Sequence, residues 1–418
     1  MIIAEFRTND IPLSLSLLAS ISSMTLGSAQ IFTQLRAGIW LTVMSLLALG
    51  LASPISADVG SAFRHPGAMN TAASLDWVKA KIDEGKEPWT STLQEVEQKA
   101  LPASAALAVI DAGDQAQAAA SKSDAVKAYA NALAWRLTGK RRYSRQSSAI
   151  LRMWADFRGF VGTTDQDKLH AGWIGVLFGE AAEIMRTSPD WKADDIAAFQ
   201  TMFRRAFYPK LSTPSRWNGN VDLTQIDALM TIAVFNDDKD EFKRGLQRLE
   251  VRSKAYIFLE SDLTPAAIEG DGGNSPAFWF HPTKWADGLT QETCRDNGHH
   301  AQFGLASALH AAEIAWNQGV DVYTPHMRRY TAAMELMARQ LLTGNMQGTC
   351  RSAMATANIF DTFEVGFNHY SHRMGLPLPF TERLISERVK PDGMSELNIF
   401  HETLTHSKAP MITSSHER

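Results

Sequence analysis

From residue 58 onward, apolar and polar positions repeat mostly with the period of an α-helix. In the segment 122–138 the apolar members recur at spacings of three and four and therefore share one helical face: Val126, Tyr129, Ala130, Leu133 and Leu137. Gly139 follows directly, in the position where helices commonly end. The segment 170–186 is apolar on almost every side, which predicts a deeply buried helix.

The same periodicity predicts further helices over 195–208, 222–236, 239–258, 299–318, 326–343, 361–374 and 380–388. Alternating patterns typical of strands are scarce, and Pro and Gly mark the joins between helices. Antiparallel helix pairs arranged around an axis would bury this many apolar faces. We therefore expect an all-α protein in which residues 58–418 form a single domain.

The longest stretch without helical periodicity is 261–298. It contains the Gly-Asp-Gly-Gly run that begins at Gly270, followed by Phe278, Trp279 and Phe280. Long ordered loops in compact domains usually carry function. The alternative is an insertion that its own aromatic side chains pack onto the surface.

The first 57 residues have a different pattern. Arg36 precedes an apolar stretch over 37–53, and small residues follow Pro54, an order typical of a secretory signal peptide. A transmembrane anchor is the alternative, because about 17 residues approach the length that spans a bilayer. We expect cleavage after Ala57, export to the periplasm or the extracellular space, and no stable membrane anchor afterwards.

Composition excludes some classes of function. The 418 residues carry 41 Lys+Arg against 45 Asp+Glu, a formal net charge of −4, whereas dedicated nucleic-acid binders are usually strongly basic. The motifs of P-loop NTPases, Rossmann-type nicotinamide enzymes and G-x-S-x-G esterases are missing from the sequence. The two cysteines allow one bridge, and export would favour a Cys294–Cys350 disulfide, with two buried thiols as the alternative.

Three short segments carry candidate chemistry, and the first begins at Trp217. Asn218 and Asn220 follow this tryptophan just before a predicted helix. Asparagine often caps helices or forms turns, so structure alone could explain both residues. A tryptophan beside two amides also suits a saccharide, because the indole can stack on a sugar ring while the amides bind hydroxyl or carboxylate groups.

The second segment, 291–300, brings a cation, acids and imidazoles to the start of an apolar helix. Arg295 can bind a carboxylate with two parallel hydrogen bonds. His299 and His300 can exchange protons near neutral pH, although a single histidine is often only structural.

The third segment contains His369, Tyr370 and His372. The two histidines share a helical face, which is one requirement of a metal site. Neither a third ligand nor a known metal-binding signature accompanies them, so we expect no metal and no other cofactor.

Together these segments resemble the secreted alginate-lyase-domain proteins, the group around polysaccharide lyase families 5 and 38. The resemblance covers nearly all of residues 63–406. It is carried by Asp76, by Pro88-Trp89 and by seven longer segments: 63–67, 128–143, 170–186, 217–220, 287–305, 364–375 and 402–406. It implies an (α/α) toroid of antiparallel helix pairs and β-elimination on polymers of uronic acid.

The resemblance also assigns roles by position. Asn220 falls where the family has the asparagine that neutralises the substrate carboxylate. The family's next residue is a histidine base, but this chain has Val221, and the family's tyrosine acid–base corresponds most nearly to Phe303. We therefore assign proton transfer to His299 and Tyr370, with His281, His300 and His369 in reserve and Arg295 as the cation that binds the carboxylate or a subsite. The expected polymer-binding residues are Trp217, Asn218, Trp279, His281, His300 and His369.

These roles imply a monomeric lyase that acts on an anionic polysaccharide with β-1,4-linked uronates, either mannuronate-type alginate or glucuronan. One alternative is a glycoside hydrolase on the same toroid, which needs two carboxylates across the scissile bond. Glu292, Asp296 and Glu364 could supply that pair. The other alternative is a non-catalytic polysaccharide-binding protein, which the missing histidine and tyrosine would favour.

Overall fold

The structure, a computed structural model, describes residues 62–268, 270–296, 299–351, 358–390, 393 and 401–410. These residues belong to one compact unit, Ile55–Arg418, whereas the expected signal peptide and its cleavage site lie outside the described part of the chain. In the described residues all regular structure is helical apart from isolated β-bridges, so the all-α prediction is confirmed. No helix in that part of the chain has both the length and the apolarity to cross a membrane.

The α-helices in chain order are α1 Ala72–Asp83, α2 Trp89–Lys99, α3 Gln115–Thr138, α4 Arg141–Trp154, α5 Gln166–Met185, α6 Ala193–Met202, α7 Tyr208–Leu211, α8 Gly219–Phe235, α9 Lys239–Tyr256, α10 Thr293–Asp296, α11 His300–Asn317, α12 Tyr323–Thr343, α13 Glu364–Phe367, α14 Pro379–Leu384 and α15 Glu402–His406. Single π-helical turns follow α6, α13 and α14, at Phe203–Phe207, Asn368–Arg373 and Ile385–Val389. A 3₁₀ turn spans Glu260–Asp262.

Helices α3, α5, α8 and α11 form the inner part of the fold. α5 packs against α3 on one side and α8 on the other, and α8 also packs against α11. Every residue of α8 is buried, because its sequence is apolar on most sides and its polar residues find partners inside the protein. Helices α4, α9 and α12 lie outside and pair with α3, α8 and α11 respectively.

Glycine lets α5 and α8 approach closely. A Cβ atom added at Gly172 would lie 2.7 Å from Thr224 Cγ2, and one added at Gly179 would lie 2.6 Å from Thr231 Cγ2. Both distances are shorter than van der Waals contact, so alanine at either position would push the two helices apart.

The inner helices bring their N-terminal halves together at one end of the fold. Ser121 Oγ of α3 lies 2.8 Å from His170 Nε2 of α5, and Thr224 of α8 lies 3.3 Å from Ser307 of α11. The candidate residues at the starts of α8 and α11 therefore meet at this end. Each helix N-terminus carries partial positive charge, so this end suits an anion.

The chain segment before α1 closes the other end of the inner helices. The Met69 backbone amide donates to Glu180 of α5 at 2.7 Å, and the Gly67 amide donates to Glu183 at 3.0 Å. Gln318, directly after α11, donates to the Gly67 carbonyl at 2.6 Å. This segment therefore bridges α5 and the end of α11.

The periodicity predicted the inner helices well and the peripheral ones less well. α3 begins at Gln115, earlier than the predicted 122, because the Asp114 side chain accepts hydrogen bonds from the backbone amides of Ala116 and Gln117. α1, α2 and α4 were not predicted individually. In α4, arginines and serines separate the apolar residues that it buries, which obscured the pattern.

Candidate active site

The centre of the site is the buried carboxylate of Glu292, which accepts hydrogen bonds from three residues. Asn220 donates through its side-chain Nδ2 to Oε1 at 2.6 Å and through its backbone amide to Oε2 at 3.2 Å. Arg295 Nη1 donates to Oε1 at 2.8 Å, and the Tyr256 hydroxyl donates to Oε2 at 3.2 Å. We call these four residues the Glu292 centre. The predicted pair Asn220 and Arg295 thus share one carboxylate.

Burial is the main influence on the pKa values of Glu292 and Tyr256 in the Glu292 centre. Burial raises the pKa of the Glu292 carboxyl, and the neighbouring Arg295 charge and Asn220 hydrogen bonds oppose that effect. The pKa of Tyr256 is raised well above its usual range, mainly by burial and secondly by the negative charge of the nearby Glu292. The phenol therefore stays protonated. Glu292 is fully enclosed, and its hydrogen bonds fix the positions of the Asn220 and Arg295 side chains.

The start of α8 is fitted closely to this centre. Asn218, the residue before the helix, has extended backbone geometry, and the Gly219 amide donates to Gln291 Oε1 at 2.6 Å. A Cβ on Gly219 would lie 2.3 Å from the Tyr256 ring, so only glycine fits there. The close approach brings the N-terminus of α8 against the segment that carries Glu292.

Arg295 links the buried centre to solvent. Its side chain is 32% exposed and lies over the Phe280 ring, with 5.5 Å between the guanidinium carbon and the ring centroid. Within the part of the chain that the structure describes, Arg295 donates hydrogen bonds through Nη1 only. The other N–H groups of the guanidinium can therefore donate to a ligand. A Cys294–Cys350 disulfide, with its Cα atoms 5.3 Å apart, ties the residue before Arg295 to the segment that follows α12.

His299 and His300 lie beside Arg295, next to Asp296. The His299 Nδ1 atom lies 3.9 Å from Asp296 Oδ2, and its ring packs edge-on against Phe303 with 4.7 Å between centroids. The His299 side chain is 34% exposed, so it can reach a bound polymer. The pKa of His300 is lowered to about 4, mainly by burial and secondly by the neighbouring groups Arg295 and His299. His300 is therefore neutral at pH 7.

Asp296, His299 and His300 could in principle share a cation. One potential ligand atom from each lies within 4.8 Å of the others. The nearby Arg295 charge, which disfavours a proton on His300, would also disfavour a metal ion there.

The predicted residues around Trp217 divide into exposed and buried members. The Trp217 side chain is 47% exposed beside the start of α8, where it can stack on a sugar. Trp279 is 1% exposed and donates through Nε1 to the Gly273 carbonyl, so it holds the loop together and offers no face to a polymer. His281 is exposed and lines an open cavity with Phe280 and the disulfide.

Tyr370 and His369 do not join the Glu292 centre. The Tyr370 side chain is fully buried, and its hydroxyl donates to the Tyr323 carbonyl at 3.0 Å. The His369 ring stacks on Tyr323 with 3.6 Å between centroids, and burial lowers its pKa to about 4. Because Tyr370 is enclosed in the core, it cannot donate a proton to a bound polymer, contrary to the sequence-based assignment.

Two residues at this end of the fold were missed by the sequence analysis. Trp173 of α5 packs near Phe303, with 6.4 Å between centroids, and Lys122 of α3 lies 5.5 Å above the Trp173 ring. They come from different helices, so spacing along the chain gave no signal for their pairing. They add an aromatic surface and a cation next to the His299 region.

Comparisons with known proteins agree with this architecture. Residues 101–257 match the family model described as alginate lyase. A variant of alginate lyase A1-III complexed with a tetrasaccharide matches with a TM-score of 0.58 and 13% identity, over 84% of this chain and 98% of that one. No curated protein sequence matches the chain.

Two further solved structures give the same result. Alginate lyase A1-III from Sphingomonas species A1 matches with a TM-score of 0.56 and 15% identity, over 78% of this chain and 93% of that one. An alginate lyase from Bacteroides ovatus matches with a TM-score of 0.52 and 12% identity, over 82% and 99%. At these identities the likeness concerns the fold, and it confirms the (α/α) toroid. The family match supports the resemblance to alginate-lyase-domain proteins over residues 101–257.

Proposed function

We propose that this alginate-lyase-domain protein, a polysaccharide lyase, cleaves β-1,4-linked polymers of uronic acid by β-elimination. Mannuronate-type alginate and glucuronan are the proposed substrates. The Glu292 centre carries the proposal, because it holds an amide and a guanidinium together on one buried carboxylate. The N-terminus of α8 adds partial positive charge beside them.

The reaction requires the proton on the carbon next to the uronate carboxylate to become acidic. Arg295 would bind that carboxylate and stabilise the negative charge that develops when the proton leaves, and Asn220, which is only 3% exposed, would hold the Glu292–Arg295 pair in place. A base takes the proton, a carbon–carbon double bond forms, and the bond to the glycosidic oxygen breaks. The departing oxygen then takes up a proton.

His299 is the residue we assign to both proton transfers. It is one-third exposed, lies four positions after Arg295 and contacts Phe303, the position that corresponds most nearly to the family's tyrosine. As a neutral imidazole it takes the proton from carbon, and as an imidazolium it returns that proton to the departing oxygen. Asp296 would stabilise the imidazolium, and Tyr370 has no part in the reaction.

The three acids considered for the hydrolase alternative do not supply a suitable pair of carboxylates. Glu292 is enclosed by its three partners, and Glu364 is buried and accepts a hydrogen bond from Thr403 at 2.8 Å. Of the three acids considered, only Asp296 is partly open to solvent. Two carboxylates facing each other across a sugar bond would be required.

The test is to incubate the protein with polymannuronate, polyguluronate and glucuronan and to follow the ultraviolet absorbance of the unsaturated uronate product. We expect product from at least one mannuronate or glucuronate polymer and little from His299→Ala. His372→Ala is the matched control, since that histidine is exposed, is not one of the expected polymer-binding residues and lies outside the Glu292 centre. New reducing ends without the unsaturated product would instead indicate hydrolysis, and binding without turnover would indicate a binding protein.

We further propose that the protein is exported and acts as a monomer. The disulfide between Cys294 and Cys350 supports export, because such bonds persist mainly in oxidising compartments.

A further inference from the structure

The disulfide joins two Cys-Arg dipeptides. Cys294 precedes Arg295 and Cys350 precedes Arg351, so the bond brings together two arginines that are distant in the sequence. The Cα atoms of the half-cystines are 5.3 Å apart, and consecutive Cα atoms are about 3.8 Å apart, so the Cα atoms of the two arginines are separated by at most about 13 Å. Both side chains are therefore within reach of one extended ligand.

An open cavity of about 430 Å³ lies at this junction. It is lined by Phe280, His281, Arg351 and the two half-cystines, and the Arg295 guanidinium lies over the Phe280 ring. None of these five lining residues carries a negative charge, whereas Arg351 carries a permanent positive charge. The cavity, which we call the disulfide cavity, therefore favours an anionic ligand.

The guanidinium of Arg351 is available to such a ligand. Arg351 is exposed, and within the described part of the chain it makes no hydrogen bond or ion pair. By contrast, the exposed Arg328 of α12 is already bound to Asp287, with 3.0 Å between Nη2 and Oδ2. A guanidinium without a protein partner can give a carboxylate two parallel hydrogen bonds.

The backbone that carries Arg351 is held in place by other parts of the chain. The Thr283 backbone amide donates to the Thr349 carbonyl at 2.8 Å, and Gln340 Nε2 of α12 donates to Thr349 Oγ1 at 3.0 Å. Together with the disulfide, these contacts fix the position from which the Arg351 side chain extends beside Arg295. Because the backbone is already ordered, ligand binding restricts only the side chain.

We propose that Arg351 is a specificity-determining residue that binds a second uronate carboxylate of the polymer whose reacting unit is bound by Arg295. This inference rests on the proposed function, because it takes the substrate to be a polymer of uronic acid. Such a polymer carries one carboxylate on each unit, so one chain can bind both arginines. A polysaccharide without acidic units near the reacting one loses the contact with Arg351.

The first experiment compares the kinetics of Arg351→Gln and wild type on polymannuronate and glucuronan. We expect KM to rise about fivefold, the upper end for an exposed ion pair, with kcat within about twofold, because Arg351 does not contact the reacting unit. Arg351→Lys keeps the charge and should restore part of the affinity. Arg141→Gln removes an exposed arginine of α4 and should leave both constants unchanged.

The second experiment repeats Arg351→Gln in the background Cys294→Ser/Cys350→Ser. Without the disulfide Arg351 is no longer held beside Arg295, so its replacement should change KM by less than about twofold. A general attraction between the polymer and the protein's surface charge would be equally strong in both backgrounds. An effect of equal size with and without the disulfide overturns the proposal.

The third experiment measures binding without turnover, by calorimetry in the His299→Ala background. The probes are the hexamers of mannuronate and of glucuronate, with mannohexaose as the uncharged control. Arg351→Gln should weaken binding of an acidic hexamer about fivefold, and mannohexaose should bind more weakly than the acidic hexamer. Thermal unfolding checks that each variant is folded.

The outcomes separate this proposal from the lyase reaction. If wild type cleaves no polymer and Arg351→Gln still weakens hexamer binding, the lyase reaction is wrong and the role of Arg351 is supported. If wild type cleaves a uronate polymer while folded Arg351→Gln keeps its KM and its hexamer affinity, only the role of Arg351 is overturned. It is also overturned if neither acidic hexamer binds or if mannohexaose binds equally well.

Discussion

Two buried carboxylate clusters of the toroid differ in whether a positive group reaches solvent. In the Glu292 centre the cation Arg295 is one-third exposed. In the second cluster, which we call the His310 centre, His310 lies between Asp227 and Glu402, at 3.2 and 2.7 Å, and all three side chains are at most 1% exposed. Both clusters satisfy buried acids, but only the first presents donors to a ligand.

This difference indicates that the His310 centre contributes to stability and the Glu292 centre to function. Burial alone would lower the pKa of His310, but the hydrogen bonds to Asp227 and Glu402 outweigh it and raise that pKa to about 10. His310 is therefore a fixed cation at neutral pH that joins α8, α11 and α15. We expect changes at the His310 centre to affect unfolding and changes at the Glu292 centre to affect turnover.

The largest expected effect is the loss of stability in His310→Leu. Removing the cation leaves the buried carboxylates of Asp227 and Glu402 without their shared partner, which typically costs about 3–5 kcal/mol. Urea unfolding should show this loss, whereas His281→Ala, at an exposed position, should change stability by less than about 0.5 kcal/mol. Equal stability of the two variants would contradict the structural role of the His310 centre.

The pH dependence of stability tests the same centre. A histidine whose folded pKa is raised from 6.5 to about 10 stabilises fully below pH 6.5, and this contribution is lost as the pH rises through about 10. Wild-type stability should therefore fall between these pH values, and the fall should be smaller in His310→Leu. Identical slopes in the two proteins would show that His310 is not the titrating group.

Arg295→Gln should have the next largest effect, mainly on activity, because the buried Glu292 carboxylate keeps its hydrogen bonds from Asn220 and Tyr256. Loss of one group that stabilises developing charge typically lowers turnover by about 10²–10³-fold. Arg328→Gln, an exposed arginine paired with Asp287, is the matched control and should retain activity within about twofold. If Arg295→Gln unfolds as readily as His310→Leu, the contrast between the two centres is wrong.

The disulfide should have an intermediate effect. Replacing Cys294 and Cys350 by serine releases a loop with a sequence separation of 56 and should destabilise the protein by about 2–4 kcal/mol. Activity should fall as well, since Cys294 precedes Arg295 in the same short helix. If a reductant changes neither the stability nor the activity of the protein, the disulfide does not support the site.

The sequence predicted the inner helices and the polar segments, but it did not predict which residues contact one another. α5, α8 and α11 were evident because their apolar positions repeat over whole helices. Asn220 and Glu292 lie 72 positions apart, and no periodicity reports that their side chains meet. Tyr370 was misassigned because a tyrosine between histidines has the same sequence pattern whether it is buried or exposed.

The smallest predicted effect is that of Trp217→Ala, and Trp279→Ala provides the contrast. Trp217→Ala should weaken polymer binding by about 1 kcal/mol, seen as a roughly fivefold higher KM with unchanged stability, because its exposed indole can only stack on a ligand. Trp279→Ala should instead lower stability by about 3–5 kcal/mol, since its ring is 1% exposed among Phe258, Trp285 and Leu289. If Trp217→Ala leaves KM unchanged, the polymer does not pass beside the start of α8, and the binding surface must lie towards Trp173 and Lys122.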